Sequence, residues 1–331
     1  MAKIQPAVQT LHYRLTGSTR AGYIDLAQSL SIANRRFYRQ GMQWAVSGIS
    51  LYNGSALTGR ILVEKLPTTW PVSSAWHKAF AMWDKQQREA VEDAGAQSAV
   101  ARFRDFKVFA DLTHQQSFTA GQQNLFPQTS ALLGSGGSSD PLTGEWEYSR
   151  IVLPNTLNVD GTSSTQPTTE PVEYYMHMIG ANRTGQSKGV VDGYQSSRGY
   201  PQSPDPVSPE LDNADNWMRQ MFNVGNDNAE ILDNATDTND NLPYDQENYP
   251  GSENQFPNLA LHDMIDITGT TIGGQSNIQG GIFPCGLLKI YKENFDESNP
   301  PVDNTNNVLD ILVHMVPGGN RGYLAEPMQD M

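Results

Sequence analysis

The chain has 331 residues, a formal net charge of −14 and a single cysteine, Cys285, which excludes a disulfide within the chain. No run of about 18 apolar residues occurs, which argues against a transmembrane helix. The opening residues, MAKIQPAVQTLHYRL, lack the apolar core of a signal peptide, so we expect neither membrane insertion nor secretion.

Charge is distributed unevenly along the chain. Residues 1–107 carry 14 Lys and Arg against 7 Asp and Glu, a net charge of +7. Residues 108–331 carry 8 against 29, a net charge of −21. One surface can therefore neutralise a polyanion, while another repels it and repels copies of itself. This asymmetry favours a shell protein with two unlike faces over an enzyme.

Short runs of alternating or β-rich residues recur along most of the chain and predict an all-β fold. The predicted strands lie at 23–31, 43–52, 60–67, 102–110, 145–153, 172–179, 262–268, 283–292 and 307–316. In the run 145–153, alternation predicts that Trp146, Tyr148, Arg150 and Val152 share one face. The run 283–292 is nearly continuous in apolar character, as is typical of a strand in a sandwich core.

Basic residues dominate the start of the chain. Residues 1–60 hold seven Lys and Arg and one acid, Asp25. The candidate nucleic-acid contacts are Arg14, Arg20, Arg35, Arg36 and Arg39. In the segment RRFYRQ, arginines alternate with aromatic rings, a combination that can neutralise phosphates and stack on single-stranded bases. The alternative is that these arginines pair with acidic loops of the same or a neighbouring subunit.

One long helix is predicted at 73–94. Ser73 or Ser74 can cap its start, and Gly95 can end it. Trp76, Phe80 and Trp83 recur at i, i+4 and i+7, so we expect one aromatic stripe to pack against the core.

Residues 183–258 form a long acidic stretch with few aliphatic residues. From 188 to 253 there are 13 acids against 3 bases. Interspersed aromatic residues predict an ordered surface excursion, with a short helix at 209–222. The run from Asp237 to Asn241 begins like a calcium loop but lacks the later Gly and Glu of an EF-hand. We therefore expect no cofactor, apart from a loose Ca²⁺ site that the acidic loops could provide.

Catalytic motifs are missing from the sequence. The histidines show no i, i+4 pair, and His177 and His314 lie in strand patterns that favour packed structural roles. Cys285 lies in an apolar run and is expected to be a small core residue. We therefore expect no enzymatic activity.

Two segments resemble capsid proteins of small circular single-stranded DNA viruses. The run WPVSSAWHKAFAMWDKQQREAVEDAG, followed by RFRDFKVFAD, resembles their helical insertion and the next strand. The end, ILVHMVPGGNRGYLAEPM, resembles their last strand and C-terminal tail. The spaced basic residues depart from the dense arginine-rich arm that many such proteins carry.

The resemblance implies a single viral jelly roll of two packed four-stranded antiparallel sheets over 1–331, with the helical insertion near 73–94. Residues 1–20 would form an N-terminal arm, and 183–258 a surface loop excursion carrying host and receptor contacts. Copies of the chain would assemble into an icosahedral shell around a single-stranded DNA genome. The protein would reside in the virion and, during assembly, in the host nucleus or cytoplasm.

Two alternatives remain open at this level. A phage coat protein, including a double jelly roll, is the nearest competitor, although the double form needs roughly sixteen strands. A carbohydrate-binding or carbohydrate-active β-sandwich would need a pair of carboxylates beside exposed aromatic rings.

Overall fold

The computed structural model is mostly β and describes a defined subset of the chain. The described residues are 6–16, 21–53, 59–96, 98, 105–128, 146–153, 172–183, 186–197, 249–253, 255–268, 271, 274–294 and 308–330. The predicted helix at 209–222 and most of the acidic excursion lie outside them.

Fifteen strands and four α-helices occur in the described residues. In chain order they are β1 (Thr10–Leu15), β2 (Ala21–Asp25), α1 (Leu26–Asn34), β3 (Met42–Asn53), β4 (Gly59–Lys65), α2 (Trp70–Asp93), β5 (Phe109–Asp111), α3 (Leu112–Thr119), β6 (Arg150–Leu153), β7 (Val172–Ile179), β8 (Ser187–Gly189), α4 (Val190–Ser197), β9 (Ala260–Ile267), β10 (Gln275–Pro284), β11 (Leu287–Asn294), β12 (Leu309–Met315), β13 (Pro317–Gly318), β14 (Gly322–Tyr323) and β15 (Ala325–Pro327).

Two antiparallel sheets form the centre of the molecule. The first has the order β1-β12-β3-β10, with the short β15 also paired to β3. The second has the order β2-β11-β4-β9. The segment predicted as an N-terminal arm thus contains β1, which pairs with β12 along its whole length.

Inward side chains of both sheets form one buried cluster, as in a β-sandwich. Tyr13 and Trp44 from the first sheet and Ile24 and Ile290 from the second are all fully buried in it. Alternation along β4 is regular, since Ile61 is buried and its neighbours are only partly so. The burial of β4 therefore follows the period of two that predicted a strand at 60–67.

An insertion between β4 and β9 forms a second, smaller core. It contains α2, α3, α4 and a third sheet in which β7 pairs with β5, β6 and β8. The predicted aromatic stripe is confirmed, because Trp76 and Trp83 are each only 8% exposed. The Phe106 ring lies 5.8 Å from Trp76, 5.9 Å from Phe80 and 5.5 Å from Trp83. This cluster packs α2 against the segment that leads into β5, within the second core.

The ends of α2 differ partly from the prediction. The helix begins after Thr69, with Pro71 in its first turn, rather than at Ser73 or Ser74. Proline suits a first turn because the missing N–H would have had no partner there. The predicted end is confirmed, since Gly95 has a φ of +62° and donates its N–H to Glu92.

The predicted strand at 23–31 was wrong beyond Asp25. The side chain of Asp25 accepts a hydrogen bond from the N–H of Gln28 and so begins α1. Leu26 and Leu30, one helical turn apart, are both fully buried. Residues 26–30 are all buried, polar Gln28 and Ser29 included, so this part of α1 has no separate polar face and resembles a strand in the sequence.

Within the predicted strands at 102–110 and 145–153, the described residues 105–108 and 146–149 are irregular, and β5 and β6 are the only strands there. The N–H of Lys107 donates to the Ser149 hydroxyl, and the N–H of Ser149 donates to the Lys107 carbonyl. Alternation also fails, since Tyr148 is 4% exposed and Val152 is 38% exposed. Contacts between two distant segments replace a regular ladder here.

The apolar run 283–292 is two strands rather than one. Cys285 and Gly286 both have positive φ, and the N–H of Gly286 donates to the Phe283 carbonyl. The turn leads from β10 in the first sheet to β11 in the second. A Cβ on Gly286 would lie 2.8 Å from the Trp44 ring, so the core permits only glycine at this position.

We predict that Phe106→Ala lowers the free energy of unfolding by about 3–5 kcal/mol, because it leaves a cavity among three aromatic rings. Phe256, which is 74% exposed, provides a matched control, and Phe256→Ala should change it by less than about 0.5 kcal/mol. Urea unfolding followed by tryptophan fluorescence measures both. Equal losses would contradict the packing role of Phe106.

Candidate nucleic-acid interface

The five candidate arginines lie in three different settings. Arg20 is outside the described residues. Arg14 lies on β1, on the sandwich. Arg35, Arg36 and Arg39 lie on the loop after α1, and all three are exposed. Only these last three are brought together on one segment of surface.

Arg14 forms an ion pair across the first sheet. Its Nε lies 2.8 Å from Oδ1 of Asp310 on β12, and Nε2 of His12 lies 2.8 Å from the same oxygen. The Asp310 side chain is fully buried. Arg14 therefore balances a carboxylate that could not remain charged and unpaired in the sheet. This matches the alternative interpretation, in which arginines pair within the subunit.

The loop after α1 is held by a buried tyrosine. Arg35 ends the helix in the left-handed conformation, with φ 52°. Tyr38 is 2% exposed, its N–H donates to the Ser31 hydroxyl, and its ring packs edge-on against Trp44. The sequence predicted that rings of this segment could stack on bases. For Tyr38 that prediction was wrong, because its ring lies in the core.

A fourth arginine from the end of the chain joins this loop. Arg321 lies in the turn between β13 and β14, and its Nη1 donates to the carbonyl of Phe37. The Tyr38 hydroxyl donates to the carbonyl of Arg321 at 3.1 Å. Arg321 is exposed and has a φ of +51°.

Sequence reasoning missed Arg321. The turn motif PGGNRGY was visible, but its partner loop is 284 residues away. We call the exposed residues Arg35, Arg36, Arg39 and Arg321 the basic patch.

The electrostatics of the patch favour an anion. Burial raises the pKa of Tyr38, and the charges of Arg36 and Arg321 both oppose that rise at the same hydroxyl. The two guanidinium groups therefore act on one region of surface. Guanidinium groups clustered in this way bind phosphate oxygens in bidentate fashion.

Gln40 anchors the loop in the protein interior. Its Nε2 donates to Oδ2 of Asp25 and to the carbonyl of Val108, each at 3.0 Å, and its Oε1 accepts from the N–H of Val108. The N–H of Gln40 donates to Asp105. Burial raises the pKa of Asp105, and the nearby charge of Arg39 partly opposes this. The patch therefore rests on a rigid base.

A second buried network contains the residues that most resemble a catalytic site. Asp111 accepts from the Tyr23 hydroxyl at 2.8 Å and from the N–H of His114 at 2.7 Å. The His114 ring stacks on Tyr23 and bonds to Asn124, which donates to Tyr148. Burial lowers the pKa of His114 to about 4. His114 is 2% exposed, so this network joins the sandwich to the insertion rather than facing a substrate.

Three further residues considered in the sequence analysis contribute to the fold. Cys285 is fully buried, as predicted, but in the turn after β10 rather than in a strand, and burial raises the pKa of its thiol. His177 is buried and bonds to the Ala181 carbonyl, and burial lowers its pKa to about 4. His314 bonds to the hydroxyls of Thr10 and Ser50. The predicted packed role of His177 is confirmed, while His314 is only partly buried and bonds to the neighbouring strands.

The described part of the chain contains no group of three His, Cys, Asp or Glu side chains arranged to hold a metal. The calcium-like run that begins at Asp237 lies outside it. No helix among the described residues is both long enough and apolar enough to cross a membrane. No family model, curated protein or solved structure matches this chain.

We predict that ionisation of Asp25 weakens the fold. Burial raises the pKa of Asp25 to about 7, against about 3.9 in an unfolded chain. The folded state thus holds this proton more tightly, and stability falls as pH rises from about 4 through 7. Between pH 4 and pH 8, the stability of Asp25→Asn should rise by about 4 kcal/mol relative to wild type.

Asparagine can still cap α1, so the variant tests the charge rather than the cap. The measurement is urea unfolding across pH, taken as the difference between the two proteins. A difference that stays constant with pH would contradict the prediction. Any dependence of the free energy of unfolding on pH that remains in the variant comes from the other titrating groups, including Asp105.

Proposed function

We propose that this chain is a viral capsid protein that folds as a single jelly roll and self-assembles into an icosahedral shell around a single-stranded DNA genome. The protein would act in the virion and, during assembly, in the host nucleus or cytoplasm. The observation that carries the proposal is the pairing order of the eight sandwich strands.

The pairing is nested. Counted along the chain, the first sandwich strand pairs with the eighth (β1 with β12) and the second with the seventh (β2 with β11). The third pairs with the sixth (β3 with β10), and the fourth with the fifth (β4 with β9). All four pairs are antiparallel. A long hairpin of four such pairs, rolled into two facing sheets, is a jelly roll, the architecture of many viral shells.

Surface chemistry supports assembly. The edge strand β9 exposes Leu261 and Met264, which are 53% and 52% exposed, and the edge strand β10 exposes Ile282 at 46%. Large apolar side chains on open sheet edges are usually covered by a partner. In a shell, neighbouring copies of the chain would bury these residues.

The basic patch supports contact with a polyanion. Its four arginines offer phosphate neutralisation at one end of the sandwich, with affinity that would come from many copies acting together. A double jelly roll is disfavoured, since the described sandwich strands form one nested set of eight.

We predict that the purified full-length chain forms closed, symmetric particles. Negative-stain electron microscopy and light scattering across pH and salt measure this directly. Monomers or small oligomers under all conditions would contradict the capsid proposal, whatever the chain binds.

We predict that the triple variant Arg35→Ala, Arg36→Ala, Arg39→Ala forms shells that package less nucleic acid, because phosphate neutralisation is lost. Adding Arg321→Ala should reduce packaging further. The ratio of absorbance at 260 and 280 nm in purified particles measures their nucleic-acid content.

A matched control removes the same charge elsewhere. Arg60, Arg88 and Arg150 each pair with a nearby carboxylate, namely Asp266, Asp84 and Glu173. The triple alanine variant of these arginines should package normally. Normal packaging by both triple variants would overturn the role of the basic patch, while shell formation would leave the capsid proposal standing.

A further inference from the structure

A cavity of about 360 Å³ opens on the insertion, outside the sandwich core. It lies between α2 on one side, α4 on the other, and the strands β6 and β7 at its base. Its apolar wall includes Ala79, Met82, Trp83, Ile151, Met176 and Val190. The volume is within the range of small-molecule sites.

Small residues on the two helices leave this space open. Ala75 and Ala79 face it from successive turns of α2, and Gly193 faces it from α4. A Cβ built on Gly193 meets no atom within 4 Å. Met82, at the edge of the cavity, is 63% exposed. The protein thus presents apolar surface to solvent where a bulkier residue on either helix could have covered it.

The charged residues that line the cavity are both cations. Lys78 on α2 and Lys188 on β8 are in the wall, which contains no Asp or Glu among the described residues. The Lys78 ammonium lies 5.7 Å from the centre of the Tyr194 ring, and that of Lys188 lies 4.8 Å from the Tyr174 ring. Cation–π contacts of this kind keep the ammonium groups near the wall. The carboxylate of Asp192, beside Gly193, instead accepts from the Nδ2 of Asn182 in the wall.

We propose that this cavity binds a long-chain carboxylate, with the hydrocarbon chain between α2 and α4 and the carboxylate at Lys78 and Lys188. Burial of the hydrocarbon chain against the apolar wall removes apolar surface from water, which favours binding. The two ammonium groups select an anionic head over a neutral or cationic one. The proposal is independent of shell assembly, since the cavity lies within one chain.

The first test compares three probes with the same twelve-carbon chain on the full-length protein. Isothermal titration calorimetry is run with laurate and dodecyltrimethylammonium below their micelle concentrations and with dodecanol below its solubility limit. Laurate should bind, dodecanol about tenfold more weakly, and the cation not measurably. Absence of laurate binding, or equal binding of laurate and the cation, would overturn the proposal.

Two pairs of variants locate the site. Ala79→Phe fills the cavity and should abolish laurate binding, while Ala81→Phe, on an exposed position of the same helix, should not. The double variant Lys78→Gln, Lys188→Gln should weaken laurate binding by about tenfold or more and leave dodecanol binding unchanged. Lys85→Gln, at an exposed lysine of α2, is its control. Laurate binding that survives both the filled cavity and the double lysine variant would place the ligand elsewhere and overturn the assignment.

Discussion

One buried amide, that of Gln40, connects the main parts of this molecule. It donates to the Asp25 carboxylate that begins α1, and it exchanges two hydrogen bonds with the backbone of Val108 as a neighbouring strand would. A side chain therefore replaces a strand where the sandwich meets the insertion. Because an unpaired amide or backbone group there would cost more than the bonds yield, these bonds help to fix the 105–111 segment, together with the Lys107–Ser149 and Tyr23–Asp111 contacts.

The same contact determines where the arginines can be. Gln40 and Tyr38 are buried, so Arg39 between them is directed to the surface. Arg39 is thereby exposed beside Asp105, whose pKa burial raises. The basic patch and the pH dependence of stability thus share one structural origin. A loop with no buried anchor would present its charges in many arrangements. Such a loop would lose more conformational entropy on binding.

The insertion adds a third sheet and a second core to the sandwich. It leaves the fourth sandwich strand and returns at the fifth, so it interrupts no pairing of the nested set. Its own core rests on the aromatic ring cluster around Phe106, and its outer side carries the cavity between α2 and α4. The basic patch and this cavity therefore belong to separate layers, which allows a contact with a polymer and a contact with a small amphiphile to coexist.

The sequence by itself determined the features that depend on neighbours a few residues apart. The period of two identified β3, β4, β7, β9, β11 and β12 but not β1 or most of β10, and the spacing of Trp76, Phe80 and Trp83 identified α2 and its buried face. It failed where a long-range contact decided the outcome. Residues 26–30 at the start of α1 are all buried, so their pattern was indistinguishable from a strand, and Ser149 bonds to Lys107 on a distant segment instead of joining a ladder.

Only the tertiary structure decided the strand order, the turn at Cys285 and the partners of each arginine. Arg14 pairs with Asp310, 296 residues away, while Arg321 joins a loop 284 residues away. A local pattern states which residues will be buried and which exposed. It does not state which distant segment completes a core, satisfies a buried carboxylate or adds a charge, because those choices minimise the free energy of the whole chain at once.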